Sequence, residues 1–359
     1  MLPSLTLLPI DAPSQPPLPV QLGSVQLHLV GLPADVLAVV TLALSMNDCE
    51  YLQALCRTSS HFAEICRNEG FWMGVLRSKG WMPDWSAPHS PGGMAPKAYY
   101  AMICGLNDAH RSALLGLSLS TTTIEESAFL GCTSLALTQL PPNLIIIRTR
   151  AFEGCTSLAL TQLPPTLTTI EAVAFHRCKS LVLTQLPHRL STIGEAVFEG
   201  CTSLALTELP HNVTTIEDSA FEGCTALALK KLPPNLTTIR YKAFEGCTSL
   251  TLTQLPDNLE TIEAFAFYGC TSLALTTLPP ALTSIEDGAF VNCTSLALTQ
   301  LPPNLTDIGT RAFSGCTSLD LTELPLNLKS IGWGAFLSCR QLRGGAFEQA
   351  VLAINQNGM

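Results

Sequence analysis

The sequence has little charge and no apolar run of membrane length. Only 13% of its 359 residues are charged, and the formal net charge is −9. Nucleic-acid binding depends on clustered Lys and Arg, and no basic stripe is present, so we expect no nucleic-acid partner. The longest nearly apolar stretch, residues 36–44, is far shorter than the roughly 20 residues of a membrane-spanning helix. We therefore expect no membrane partner either.

An export signal and a disulfide or zinc pattern are also missing. Residues 1–21 contain six prolines and no Lys or Arg, so they lack the basic start of a secretory signal. We interpret residues 1–26 as a disordered Pro-rich leader and expect a cytoplasmic or nuclear, not secreted, protein. None of the 14 cysteines forms a CxxC pair. A disulfide framework is the alternative, but without an export signal we expect free, buried thiols.

Signatures of catalysis are missing as well. The sequence contains no nucleophile elbow and no phosphate-binding loop. Only His176 lies within two residues of a cysteine, Cys178, whereas a four-ligand zinc site requires two close ligand pairs. We therefore predict no catalytic residues, no metal site and no cofactor, and we expect that the protein is not an enzyme.

A 23-residue repeat dominates the chain and returns about ten times between Ser120 and Cys339 without an insertion. Each copy carries one cysteine, and these are Cys132, Cys155, Cys178, Cys201, Cys224, Cys247, Cys270, Cys293, Cys316 and Cys339. A period of 20 to 29 with closely spaced leucines is typical of leucine-rich repeats, which bury their apolar faces by stacking. The pattern predicts a leucine-rich-repeat solenoid of about ten coils with short parallel strands over residues 120–343. A C-terminal cap is expected at 344–359.

The coil that begins at Cys247 shows how one unit is expected to fold. Residues 249–253 alternate polar and apolar, which predicts the strand of a parallel sheet. Pro256 cannot donate a ladder hydrogen bond, so we expect it to end that strand before a second extended piece at 259–262. Phe267 then supplies a large core side chain, and Gly269 permits the tight bend into the next coil.

The repeat unit, Leu-x-x-Ile-x-x-x-Ala-Phe-x-Gly-Cys-x-x-Leu, resembles the BspA-like (treponemal) class of leucine-rich repeat. This resemblance implies a curved, right-handed solenoid used for protein binding. Leucines such as Leu140 and Leu255 stand where other leucine-rich repeats carry an asparagine ladder, so we expect that ladder to be absent. The sequence leaves open which strand lines the concave face.

Outward positions of the coils are of two kinds. One kind hardly varies and includes a threonine ladder, formed by Thr138, Thr161, Thr184, Thr207, Thr253, Thr276, Thr299 and Thr322. The other kind is the triplet that follows each repeat isoleucine, and it varies from coil to coil. Because Arg and Tyr are enriched at interface centres, we predict substrate binding by Arg148, Arg150, Arg240, Tyr241, Lys242 and Phe265. These cations favour an acidic partner, and the alternative is that the triplets are unselected solvated loops.

Residues 27–80 precede the repeats and have a helical pattern. Pro33 suits a first helical turn, and apolar residues follow at helical spacing, namely Val36, Leu37, Val40 and Leu44. A segment this short buries too little apolar surface to fold stably by itself, so we expect it to pack on a partner or on a flanking segment. Residues 81–119 are interpreted as a connector and N-terminal cap, with a helix at 96–106.

The helical segment resembles an F-box. The residues that occur in the same order as the characteristic residues of the F-box family are Leu32, Pro33, Leu37, Val40, Leu44, Asp48, Leu52, Leu55, Cys56, Arg57, Phe71 and Trp72. Departures from its pattern are Asp35, Cys49 and Ser59. The resemblance implies that a Skp-type adaptor, and through it a cullin, binds the segment at Leu32, Pro33, Val36, Leu37, Val40, Leu44, Leu55 and Trp72.

The two resemblances together imply a substrate-recognition subunit of a cullin-RING (SCF-type) ubiquitin ligase, with a protein substrate on the repeats. Such a subunit acts by raising the effective concentration of a target lysine near the ubiquitin-loaded enzyme. The combination is also similar to that of proteins of large DNA viruses that engage host ubiquitination. The alternative is a non-enzymatic leucine-rich-repeat binding or adhesion protein in which the helices cap the first coil.

Overall fold

The structure is a computed structural model that describes residues 21–22, 25–26, 102, 106–339 and 342. The chain divides into two units, Met1–Met82 and Pro83–Met359. In the first unit, strand β1 (Gln21–Leu22) pairs antiparallel with strand β2 (Val25–Gln26), at the end of the predicted leader. The predicted adaptor-binding residues and the C-terminal cap at 344–359 lie outside the described residues.

The second unit contains one described helix followed by a parallel β-solenoid. Helix α1 spans Asp108–Leu115. The solenoid strands are two residues long and recur every 23 residues: β3 (Thr123–Ile124), β4 (Ile146–Ile147), β5 (Thr169–Ile170), β6 (Thr192–Ile193), β7 (Thr215–Ile216), β8 (Thr238–Ile239), β9 (Thr261–Ile262), β10 (Ser284–Ile285), β11 (Asp307–Ile308) and β12 (Ser330–Ile331). These strands mark about nine complete coils, which confirms the predicted solenoid with short parallel strands.

Equivalent residues of neighbouring coils pair with each other. For example, Ile285 of β10 pairs with Ile262 of β9 on one side and with Ile308 of β11 on the other. The strands form three parallel sheets, β3 to β5, β6 to β7 and β8 to β12. Because the register advances by one full repeat at each step, every position of the repeat becomes a column along the solenoid.

The predicted position of the main strand is wrong. Residues 249–253 are not a strand, and the ladder lies instead at Thr261–Ile262, within the predicted second extended piece. The leucine-rich segments of some neighbouring coils share only a single backbone hydrogen bond, such as that from Ala159 N to Leu137 O (3.1 Å). Alternation of apolar and polar residues reports which side chains are buried, and it does not report whether backbones approach closely enough to form a ladder.

A stack of phenylalanine rings runs through the core. It comprises Phe129, Phe152, Phe175, Phe198, Phe221, Phe244, Phe267, Phe290, Phe313 and Phe336. Successive ring centroids are 5.2 to 5.8 Å apart, and the planes are tilted by 3° to 13°. The first nine rings are fully buried. The phenylalanine that the sequence predicts to fill the core therefore packs each coil against the next.

The repeat cysteines form a second buried column, and all ten are free thiols. Each thiol from Cys155 to Cys339 donates a hydrogen bond to the phenylalanine carbonyl of the preceding coil, at 3.0 to 3.1 Å between Sγ and O. The same carbonyl accepts the backbone N–H of the cysteine in its own coil, as between Cys132 N and Phe129 O (3.0 Å). The cysteine column thus binds coil to coil.

The bend before each cysteine requires a left-handed backbone. Seven glycines occupy it with φ of 69° to 78°, as predicted for Gly269 (φ 70°). Arg177, Asn292 and Ser338 take the same conformation, with φ of 57° to 64°. Intercoil hydrogen bonds, such as that from Arg177 N to Glu199 O (2.6 Å), hold the bend even where a side chain makes the conformation less favourable.

Four asparagines bond to the preceding coil from a position three residues after the column of Leu140 and Leu255, for which the sequence predicts no asparagine ladder. The side-chain amides of Asn143, Asn212, Asn304 and Asn327 donate to backbone carbonyls 24 residues earlier, at 2.7 to 3.0 Å. They lie just after the Leu-Pro pair of each coil. We call this part of the repeat the proline corner, and it comprises the proline after the leucine and the next two residues.

The first coil is covered by the residues that precede it. Met102, Leu106, Leu114 and Leu117 are buried, and the Met102 sulfur accepts a hydrogen bond from Ala136 N at 3.4 Å. Met102 is helical, within the range predicted as a cap helix, and α1 follows it. Across the described part of the chain, no helix has the length and apolarity required to cross a bilayer.

We expect Phe244→Ala to lower the free energy of unfolding by about 3 to 5 kcal/mol, as truncations of buried aromatics do. Its ring is fully buried and stacks on Phe221 and Phe267, each at 5.5 Å. Phe336→Ala should cost less, because Phe336 is only half-buried. Urea unfolding followed by circular dichroism measures both values, and equal losses would contradict the central role of the stack.

Candidate functional site

The variable triplets begin directly after the strand isoleucine, and their backbones are fixed. The first residue of the triplet donates to the preceding coil, as Glu263 N does to Ile239 O (2.9 Å). The third residue is left-handed in every coil, with φ of 49° to 65°. The same backbone therefore presents different side chains at equally spaced positions along the solenoid.

The predicted cationic candidates lie in this row, but each is paired with carboxylates. Arg148 Nε lies 3.3 Å from Glu125, and its Nη1 lies 3.6 Å from Glu171. The remaining pairs are Arg150 with Glu153 (3.5 Å), Arg240 with Glu217 (3.2 Å), and Lys242 with Glu245 (3.1 Å) and Glu222 (3.7 Å). These candidates therefore present locally balanced charge and not a free cationic surface.

Lys242 illustrates the balance. Burial lowers its pKa, but the hydrogen bond to Glu245 and the charge of Glu222 outweigh burial, so its pKa is raised. Its ammonium also lies 5.6 Å from the centroid of the Tyr241 ring, within cation–π range. Lys242 consequently stays charged while it supports the tyrosine beside it.

Three aromatic residues from two neighbouring coils meet at this row. Tyr241 meets Phe265 edge-on, with centroids 6.1 Å apart and planes at 85°. Phe265 in turn meets Tyr268 at 6.2 Å and 64°. Tyr241 is 40% exposed, whereas Phe265 and Tyr268 are half-buried. We call Tyr241, Phe265 and Tyr268 the aromatic patch.

A glycine in the next coil makes room for the patch. A Cβ atom at Gly288 would lie 2.6 Å from Cε1 of Phe265, so the Phe265 ring lies directly over this glycine. Phe265 itself has a φ of 57°, the left-handed conformation shared by its column. The sequence places Phe265 among the candidates, but it does not reveal that Gly288 is needed to seat the ring.

Glutamates at the first triplet position have a structural role that sequence reasoning missed. Glu263 Oε2 accepts the backbone N–H of Tyr241 at 2.9 Å, and Glu286 and Glu171 do the same for Ala264 (3.0 Å) and Thr149 (2.9 Å). Burial raises the pKa of Glu263, with the Tyr241 N–H acting against it. These carboxylates fix the middle residue of the preceding triplet, and the only available signal was their recurrence at one repeat position.

A second exposed aromatic lies in the last described triplet. Trp333 is 69% exposed, and the Arg311 guanidinium lies 5.1 Å from its ring centroid. Sequence reasoning did not select it, although an aromatic residue in a variable triplet was the available signal. Arg311 thus contacts an aromatic ring, as Lys242 does in the aromatic patch.

His176 lies in a column with glutamates of the two neighbouring coils. Its ring nitrogens lie 3.5 Å from Glu153 and 3.3 Å from Glu199. The neighbouring Cys178 thiol instead donates to the Phe152 carbonyl at 3.0 Å. Within the described residues, no group of three or more His, Cys, Asp or Glu is arranged to hold a metal ion.

Gly288→Ala is expected to displace the Phe265 ring. Gly334→Ala is the matched control, because Gly334 is the equivalent residue two coils later, with φ of 65° against 63°, and an added Cβ would meet nothing closer than 3.6 Å. Both changes introduce left-handed strain of about 1 to 2 kcal/mol. Overpacking against Phe265 should cost Gly288→Ala at least about 1 kcal/mol more in urea unfolding. Equal losses would show that the ring is not seated on Gly288.

Comparison with solved structures finds leucine-rich-repeat proteins. A leucine-rich cell surface protein from Faecalibacterium prausnitzii is 28% identical, with a TM-score of 0.44, covering 62% of this chain and 70% of that one. A leucine-rich repeat protein from Bacteroides ovatus is 22% identical (TM-score 0.35; 62% and 81% covered). The leucine-rich repeat protein of T. pallidum is 29% identical (TM-score 0.31; 55% and 72% covered).

No curated protein matches the chain. Comparison with family models detects no F-box domain, and none of the comparisons supports a viral origin. The model that does match is the BspA type leucine rich repeat region, in six copies, over residues 122–251 and 237–358. Because this match spans most of the sequence and coincides with the stacked coils, the chain belongs to the BspA-type leucine-rich-repeat family.

Proposed function

We propose that the protein is a non-enzymatic binding protein that recognises a protein partner through its variable triplets, with the aromatic patch at the centre of the contact. The observation that carries this proposal is Tyr241, which is 40% exposed yet fixed by Phe265, Lys242 and the carboxylate of Glu263. A fixed aromatic side chain loses little conformational entropy when a partner covers it.

The composition of the patch fits the energetic centre of a protein interface. Tyrosine, tryptophan and arginine are enriched at such centres, where a ring offers apolar area and a polar tip. Arg240 lies next to Tyr241, and its pairing with Glu217 leaves its side chain 45% exposed. A partner with both an apolar pocket and an acidic group would contact Tyr241 and Arg240 together.

The chemistry of the core supports binding over catalysis. The ten repeat cysteines are buried, and burial raises the pKa of their thiols, to about 11 for Cys339 at the C-terminal end of the column. The thiolate is the reactive form of cysteine, so these neutral thiols are poor nucleophiles near neutral pH. We assign them to coil-to-coil binding.

A second candidate function rests on the helical segment before the repeats. The F-box-like order from Leu32 and Pro33 to Trp72 favours binding of a Skp-type adaptor and thereby a cullin, with the substrate on the repeats. A cytoplasmic or nuclear location belongs to this candidate. The family match covers the repeats alone, so we place the plain binding protein first.

A photo-crosslinking amino acid at position 241 tests the first candidate. We expect it to capture a protein partner from cell extract, whereas the same group at Thr322, on the threonine ladder and four coils from Lys230, should not. Tyr241→Ala should weaken the affinity of the captured partner about 30-fold, which corresponds to about 2 kcal/mol for a residue at an interface centre.

Control substitutions at Thr253 and Thr276 should leave that affinity unchanged. Capture from Thr322 but not from position 241 would place recognition on the threonine ladder instead. Adaptor and cullin peptides among the captured proteins, lost when Leu32 and Pro33 are replaced together, would favour the second candidate.

A further inference from the structure

A groove crosses three coils at the proline corner, away from the triplets. Its volume is about 530 Å³. The lining is an apolar floor that includes Leu163, Leu186 and Leu209, with polar walls that include Gln162 and Gln185. The three leucines are 8% to 9% exposed, so a thin strip of apolar surface lies at the bottom of the groove.

Two histidines stand side by side at the groove. His188 and His211 line it, are exposed, and occupy the position that is proline in most other coils. The Asn212 side chain donates to the His188 carbonyl at 2.7 Å, which holds the two coils in direct contact at this point. The two histidines occupy the same repeat position in neighbouring coils, so an extended ligand that crosses both coils along the groove meets both imidazoles.

Lysines continue the polar walls of the groove into the next coil. Lys230 occupies the repeat position of Thr161 and Thr184, which line the groove. Lys231 occupies the position of Gln162 and Gln185. The backbone N–H of Lys230 donates to Thr207 O at 3.3 Å, so this coil is in register with the one before it. Arg189 follows His188, and all three cations are exposed.

These cations differ from those of the triplets, because in the described part of the chain they form no ion pair. Within residues 106–339, none of the ion pairs involves Arg189, Lys230 or Lys231. Glu208 is the single carboxylate in the groove lining. In these columns of the repeat, coils outside this stretch contribute no basic residue. The groove and the residues beside it therefore form a localised positive surface on a protein of net charge −9.

We propose that this groove binds an extended acidic segment of a protein partner. Carboxylates of the segment would pair with Arg189, Lys230 and Lys231 and accept hydrogen bonds from the two imidazoles. The glutamine side chains would bind its backbone, and the leucine floor would accept small apolar side chains between the acids. This site is separate from the aromatic patch, so the proposal stands or falls independently of the role of Tyr241.

The repeat itself supplies substitutions that remove the charge and keep the fold. We would combine His188→Pro, His211→Pro, Lys230→Thr and Lys231→Gln, each of which restores the commonest residue of its column. Within the described residues, neither histidine N–H donates to a backbone carbonyl, so proline at these positions removes no backbone hydrogen bond. The control is Arg177→Gly with Lys179→Thr, which also restores the common residues of the repeat. It removes the same number of positive charges, two, at a site outside the groove.

Fluorescence anisotropy with a labelled oligoglutamate peptide tests the site, using the full chain and an oligoglutamine peptide for comparison. The parent protein should bind oligoglutamate in preference to oligoglutamine, and added salt should weaken this binding. The groove variant should lose about tenfold in affinity, because several partly exposed charge contacts together amount to about one factor of ten. The control variant should retain the parent affinity.

Three outcomes would overturn the proposal. The first is an equal loss in the groove variant and the control, which would attribute binding to net charge alone. The second is no preference of the parent for oligoglutamate over oligoglutamine at low salt. The third is binding of heparin without binding of oligoglutamate, which would assign the groove to an acidic polysaccharide instead. The peptide-binding result does not depend on whether position 241 crosslinks to a partner, so the two proposals can fail separately.

Discussion

The phenylalanine carbonyl is the group on which the solenoid depends, because it accepts two hydrogen bonds. One comes from the cysteine backbone N–H of its own coil, and the other comes from the cysteine thiol of the next coil, at 3.0 to 3.1 Å. A carbonyl oxygen has two lone pairs, so both bonds satisfy a buried acceptor that would otherwise destabilise the fold. Coil-to-coil attachment and coil closure therefore meet at one atom.

Stacking also fixes the surface. Backbone hydrogen bonds between coils hold the left-handed residue of each triplet from Ser127 to Arg311, including residues as unsuited to that conformation as Val173 and Phe265. Because the backbone is the same in each coil, differences between coils reside in side chains alone. The aromatic patch and the groove at His188 and His211 are two places where those side chains depart from the repeat.

Much of this fold could be predicted from the sequence, because the constant repeat length shows which residues of neighbouring coils lie side by side. The 23-residue spacing locates every cysteine, and the recurring Phe267 and Gly269 positions identify the core filler and the bend. The ladder itself was misplaced, since the alternation at 249–253 marks buried leucines without marking backbone pairing. Thr261–Ile262 forms the ladder because the backbones approach each other there.

The binding surfaces were harder to predict because they depend on pairs of coils. Arg240 and Lys242 look like free cations in the sequence, but their carboxylate partners, such as Glu217 and Glu222, come from the preceding coil. The basic groove was missed for the same reason, since His188 and His211 are 23 residues apart and become neighbours only through stacking. A sequence read one coil at a time does not show these combinations.

The dependence of stability on pH tests whether the repeat thiols are buried and protonated, as donation to the phenylalanine carbonyl requires. Burial raises the pKa of Cys339 from 9.0 to about 11, and it raises the pKa values of the other repeat cysteines as well. Above pH 9 the unfolded chain loses thiol protons that the folded chain retains, so the free energy of unfolding must fall as pH rises. Below pH 9, thiol ionisation should not change the free energy of unfolding.

The measurement is urea unfolding of the parent protein and of Cys247→Ala across this range. We predict that the stability of the parent declines between pH 9 and about pH 11, and that the variant declines less steeply because one buried thiol is gone. Identical pH profiles for the two proteins, or a parent whose stability does not change up to pH 11, would contradict the account.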